Sequence, residues 1–239
     1  MKQVWIISRR ELAAFFDSLI AYIMIVAFLG FSGFFTWFFG SDIFLVGQAS
    51  LQVFFNIAYW TLFFFIPAIT MRMLAEENKA GTLELLLTKP VNYLQVVGGK
   101  FLATLLLICI SLALTIPYYI TVANIGPIDH GAVFSGYLGL LLISAMYISI
   151  GIFASSVTSN QIVSFLLALF IGLFFQIIFG MVSASMTGFF GEILSYLSAM
   201  NHYESMSRGI IDSKDLIFFL SVISLGFLGS VYALTRRHV

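Results

Sequence analysis

Apolar residues gather in six blocks, Leu19–Phe39, Phe54–Met71, Phe101–Ala123, Phe134–Val157, Ile162–Ser183 and Leu216–Leu234, and the breaks between them hold nearly all the charge. Each block has roughly the 20 residues that an α-helix needs to cross a hydrocarbon core. No ten-residue stretches alternate apolar with polar side chains, so a lipid-facing barrel does not fit. The pattern therefore predicts an all-α membrane protein, a single domain over residues 1–239 with six transmembrane helices.

Composition strengthens this reading. Hydrophobic residues make up 61% of the chain and charged residues 9%, with a mean hydropathy of +1.05. Too few polar side chains remain to cover a soluble core of such helices. The formal charge is zero and gives no case for a nucleic-acid partner. Cys109 is the single cysteine, which excludes an intrachain disulfide and fits a small packed residue. Lys2, Arg9, Arg10, Glu11 and Asp17 are scattered among apolar positions, unlike a cleaved signal, so the block after Asp17 reads as a retained first span.

Basic residues orient the bundle. Lys2, Arg9, Arg10, Arg72, Lys79, Lys89, Lys100, Arg236 and Arg237 fall on one side, against Arg208 and Lys214 on the other. By the positive-inside rule both termini and the 72–100 loop are cytoplasmic. Within the first 17 residues, Val4, Trp5, Leu12, Phe15 and Phe16 share one helical face, opposite most of the charges. A basic amphipathic helix with a Trp fits the cytoplasmic interface, with a simple extension of the first span as the alternative.

None of the predicted spans contains Asp, Glu, Lys, Arg or His. Ion-coupled transporters usually need such groups at membrane depth, which argues against a secondary transporter. Gln176 in span five reads first as an interhelical hydrogen-bonding residue. The chain has no His-Glu-x-x-His, no Gly-x-Ser-x-Gly and no Cys near a His, so no catalytic set emerges. Gly98-Gly99-Lys100 lacks the rest of a phosphate-binding loop and reads as a flexible entry to span three with a cytoplasmic anchor. Asn201-His202-Tyr203-Glu204 offers too few ligands for a metal and reads as surface loop.

The informative break is Glu76 to Pro90. Glu76 to Ala80 favour helix, Gly81 can stop it, and Thr82 can cap a second one, in whose first turn Glu84 complements the dipole. Pro90 ends that element. Leu83, Leu86 and Leu87 share one face of it. Such a face fits a groove on a cytoplasmic partner or the lipid interface, and periodicity alone does not choose between them.

Glu77-x-x-x-Gly81-Thr82-x-Glu84-x-Leu86-x-x-x-Pro90 resembles the signature that follows the second span in ABC-2 type transporter permeases. The amphipathic start, six spans and long outer segment resemble that family across nearly the whole chain. Within it, Met71-Arg72-Met73-Leu74-Ala75-Glu76-Glu77 leading into Gly81-Thr82-Leu83-Glu84-Leu85-Leu86 is similar to the permease of the bacterial gliding-motility ABC transporter.

The resemblance implies a permease subunit of an ATP-driven transporter, an exporter in the bacterial cytoplasmic (inner) membrane. The 72–100 loop would hold a coupling helix that docks on a separate ABC ATP-binding subunit, itself present in two copies. ATP and Mg would be bound by that partner, and this chain would hold no cofactor. A second permease copy or a paralogue would complete the transporter, and a membrane-anchored accessory protein with an extracytoplasmic domain is a further expected partner. A non-transporting assembly or anchor component driven by an ATPase is the alternative. The resemblance also implies short helices in the outer segment 184–214 that re-enter the outer leaflet; its apolar residues, Phe189 and Phe190 among them, fit either that or a loop packed over the helix ends. Phe175 and Phe179, with Gln176, fit a gate or pathway equally with lipid-facing aromatics. Pro67 and Pro117 are positioned to bend spans two and three.

Overall fold

The computed structural model describes residues 2–38, 49–82, 91–186 and 188–237. Among these every regular element is helical. α1 (Lys2–Asp17) precedes α2 (Ile20–Trp37), α3 (Gln52–Thr70) and the short α4 (Ala75–Ala80). α5 (Tyr93–Ala113), α6 (Ile116–Ile125), α7 (His130–Val157) and α8 (Gln161–Leu173) follow. A π-helical turn, Phe174–Ile178, joins α8 to α9 (Phe179–Ser185). α10 (Phe189–Leu197), α11 (Ala199–Ser207) and α12 (Ser213–Arg237) complete the order. Six of these helical stretches are long and apolar enough to cross a membrane, and the chain is a multi-pass membrane protein.

α5, α7 and α8 start earlier than their apolar blocks do, because polar residues cap them. Asn92 and Gln95 form a capping box that begins α5 eight residues before Phe101. The Asp129 carboxylate accepts from the Gly131 and Ala132 amides to start α7, and Asn160 caps α8. These extra turns carry ionisable side chains into packed positions that the hydropathy pattern leaves empty. Pro117 does not kink a continuous helix. It occupies the first turn of α6, where a missing N–H costs nothing, and the third span breaks at Leu114–Thr115 instead. Pro67 lies inside α3, one turn before its end.

α7 is the axis. In its span window 78% of residues are buried, against 17% to 56% for the other five, which leave more of their surface to lipid or to another chain. α3, α5, α8, α11 and α12 all pack on it. Small residues bring these neighbours close. A Cβ at Gly151 would overlap the Thr70 hydroxyl of α3, one at Gly136 the Phe55 ring, and one at Gly139 would press on Tyr203 and Met206 of α11. Gly226 of α12 makes the same kind of approach to Ser149.

α1 is the helix that the sequence predicts, but its packed stripe is Ile7, Ser8 and Phe15, set against α5. Trp5 lies outside that stripe and is exposed. The chain turns from α1 into α2 at Leu19, whose φ of 61° is left-handed. One such residue breaks the helix between Asp17 and Ile20, at some cost for a residue with a Cβ.

Candidate functional site

On the face of the bundle that carries both chain ends, α4 hangs between α3 and the described start of α5. Gly81 ends it with φ 67°, its N–H bonded to the Glu77 carbonyl. Its φ lies in the left-handed region, so glycine is needed for backbone conformation, and among the described residues no atom beyond its chain neighbours and its own helix lies within 4 Å of where its Cβ would be. Replacing Gly81 with Val is expected to cost about 1–2 kcal/mol locally. Amide-exchange protection over 75–80 falls, and Gly81→Asn keeps most of it.

α4 is tied down at both ends. Ser155, near the end of α7, accepts from the Leu74 and Ala75 amides at 3.0 and 2.9 Å and donates to the Met71 carbonyl at 3.1 Å. Its hydroxyl therefore does the capping that Leu74 cannot do for its own helix. Asn78 reaches the Ser156 carbonyl at 3.5 Å. Glu77 points the other way. Its Oε1 accepts from Lys100 Nζ at 2.7 Å, and the same ammonium lies 3.4 Å from Glu11 of α1.

Lys100 is 1% exposed, Glu77 22% and Glu11 15%. An ammonium that dry is tolerated only with carboxylates against it. Local packing makes the meeting possible. At Gly99 a Cβ would strike Ile7 at 2.5 Å and the Val4 carbonyl at 3.2 Å, so the bare backbone lets α1 close onto α5. Gly98-Gly99-Lys100 is thus part of a helix packed on α1 and not a flexible entry. A cleft of about 280 Å³ opens beside the cluster, lined in part by Glu11, Arg72, Glu76, Glu77, Thr82 and Lys100. Arg72 and Glu76 form a looser pair at 3.6 Å on its rim.

Of the motif residues, Glu77 and Gly81 therefore have defined roles in the fold. Thr82 is exposed and already helical, so it does not cap from outside. Leu83, Glu84, Leu86, Leu87 and Pro90 lie outside the described residues. The sequence reads Lys100 only as a cytoplasmic anchor and Glu11 only as one of the scattered N-terminal charges, and it does not point to Ser155. The available signal was Glu11 within the buried stripe Ile7, Ser8, Glu11, Phe15, where a carboxylate needs a partner.

The second predicted group divides in two. Phe175, Gln176 and Phe179 cluster on the π turn and just beyond it, with Phe175 and Phe179 edge to face at 5.4 Å. Gln176 is fully buried and accepts from the Tyr147 hydroxyl of α7, the interhelical bond expected of it. Its Nε2 has no partner among the described residues. Phe189 and Phe190 are 72% and 71% exposed on α10, and no recorded ring contact joins them to that cluster. His202 departs from the surface-loop reading: it lies in α11 and is buried. Glu204 pairs with Arg208, at 2.9 Å, and no three His, Cys, Asp or Glu side chains gather among the described residues.

Six apolar crossings, one of them the buried axis, with a charged helix anchored at the mouth of the bundle, define a polytopic membrane component with a structured segment outside the lipid. The chain belongs to the ABC-2 family of transporter proteins, whose family model matches residues 43–235. The match reaches the family and not a subfamily. Membership makes the chain a permease component of an ABC transporter, which associates with an ATP-binding subunit. No curated protein matches it.

Proposed function

We propose that this chain is the membrane-spanning subunit of an ATP-driven exporter and that α4 with the segment after it receives force from a separate ATP-binding subunit. In this reading the end-bearing face is cytoplasmic, in keeping with its basic residues. The membrane is the bacterial inner membrane, two permease copies form the pathway, and ATP and Mg belong to the partner.

The carrying observation is Lys100. Its ammonium holds α4 to α5 and α1 through Glu77 and Glu11, while Ser155 holds α4 to α7. A displacement of α4 cannot occur without moving, or breaking from, three membrane elements. Packed and paired contacts of this kind have discrete arrangements, which suits transmission.

The test is reconstitution of the permease with its ATP-binding subunit in liposomes. ATP hydrolysis is expected only with both present. The double variant Lys100→Met with Glu77→Gln removes the pair together and leaves no unpaired buried ammonium. It should still co-purify with the partner yet lose roughly tenfold in the mutual stimulation of substrate movement and hydrolysis, a typical coupling magnitude. Unchanged stimulation rejects this cluster as the transmission path.

A further inference from the structure

We propose that His202 and Asp215 form a proton-binding site that ties α11 to α12 and to the end of α10, and that one of these two ties is lost when the proton leaves. His202 Nδ1 lies 2.6 Å from Asp215 Oδ1, and His202 Nε2 lies 2.9 Å from the Tyr196 carbonyl. Both side chains are buried, Asp215 fully.

A carbonyl oxygen only accepts, so Nε2 must carry a hydrogen. A neutral ring then has a bare lone pair on Nδ1, facing a carboxylate oxygen at contact distance. Two acceptors do not stay at 2.6 Å inside a protein. One further proton therefore sits between them, and the pair holds one more than a neutral imidazole plus an ionised carboxylate would.

Three features place that proton on the ring. Asp215 is in the first turn of α12, where the helix dipole favours a negative charge. Lys214 is its neighbour in sequence. The Phe218 ring stacks on His202 at 4.3 Å and 19°, a geometry that favours an imidazolium. Asp215 Oδ2 has no partner among the described residues, so the imidazolium carries the compensation for this carboxylate.

Other ionisable groups on the surrounding elements are engaged elsewhere or remote. α10 brings Glu192 and Tyr196, and α11 brings Tyr203, bonded to the Phe55 carbonyl, and the Glu204–Arg208 pair. α12 brings Lys214, paired at 3.2 Å with Asp212, and the distant Tyr232 and Arg236. α7 brings His130, hydrogen-bonded to Tyr119, together with Tyr137 and Tyr147. The π turn brings none, and α5, which packs on α12, has Tyr93, Lys100 and Cys109. The Lys214 amide and ammonium hold the Asp212 carboxyl below the usual carboxylate range, so Asp212 stays ionised throughout and is not the group that switches.

Loss of the proton as pH rises leaves a neutral ring with one N–H for two acceptors, so either the Asp215 contact or the Tyr196 contact is given up. α11, with α10 before it, then loses that tie and keeps its packing together with the Tyr203–Phe55, Ser135–Met206 and Gln52–Ser207 hydrogen bonds. The side of the membrane to which this pair belongs is opposite the α4 cluster, and the inference stands without the coupling assignment.

The experiment uses the full chain in nanodiscs with ring-labelled histidine. Nitrogen NMR should show His202 with two N–H groups at mildly acidic pH and one at alkaline pH. Amide-exchange protection over 189–207, corrected for intrinsic rates, should fall roughly ten- to hundredfold across the same transition, the factor a charge-assisted hydrogen bond supplies. Asp215→Asn is the matching control. Its amide can donate to the bare Nδ1 of a neutral ring, so it should keep the contact, show one N–H group at neutral pH and lose the pH dependence. A wild-type ring with one N–H group at acidic pH overturns the proposal. So does a ring that never releases its proton while the chain stays folded, or an exchange profile with the same pH dependence in Asp215→Asn.

Discussion

Glu77→Ala is expected to lower the stability of the chain in detergent by about 3 kcal/mol, the lower end of what breaking a buried ion pair costs. The cost arises from what is left behind. Lys100 remains 1% exposed, with only the longer 3.4 Å contact to Glu11. The loss should appear as a lower thermal midpoint and as increased proteolysis around α4. Lys100→Met should cost less, because Glu77 and Glu11 retain some access to water. Removing all three charges, as Lys100→Met with Glu77→Gln and Glu11→Gln, should recover most of the stability, since apolar replacements of buried ion pairs are often neutral. Coupling to ATP hydrolysis should not recover with it. That separation distinguishes a transmitting cluster from a merely structural one.

The second large effect is expected at Gly151. Any side chain there enters the space of the Thr70 hydroxyl, which is itself bonded to the Ile66 carbonyl at 2.9 Å. α3 and α7 cannot both keep their places, and α7 is the helix on which the bundle is assembled. Gly151→Val should cost at least about 1–3 kcal/mol, the usual range for overpacking, and more if the crossing opens. Gly151→Ala should be milder, and partly rescued by Thr70→Ala, which deletes the overlapping oxygen. Failure of that rescue in a thermal-melt series would show that backbone separation, not the hydroxyl, sets the crossing.

Much of the architecture is legible in the chain because lipid imposes a simple rule. An apolar run of the right length must be a helix, so the six crossings, the α1 helix and the stop at Gly81 follow from spacing and residue type. What escapes is pairing. Lys100 looks like a basic anchor at the end of a loop, since hydropathy places the start of the span at Phe101. The Asn92–Gln95 box moves that start back by two turns and buries the lysine. Asp215 is hidden in the same way by the early start of α12. The partners of both come from other helices, Glu77 and Glu11 for Lys100 and His202 for Asp215, and helical periodicity within one element does not report them. Phe189 and Phe190 show the converse: their apolar character suggests membrane burial, yet within a single chain they are left exposed.

The π turn at Phe174–Ile178 has a consequence for the fifth crossing. Such a turn holds one residue more than the α-helix around it would, and each residue of an α-helix is worth about 100° of rotation. The faces before and after it therefore belong to two different helical wheels. Deleting a single residue from 174–178 would return this stretch to a regular α-helix with α8 and α9 facing as they do now, whereas the same deletion within α8 would swing everything beyond it by about 100°. The crossing thus contains one residue of slack, which lets it lose a residue there without re-aiming its far half.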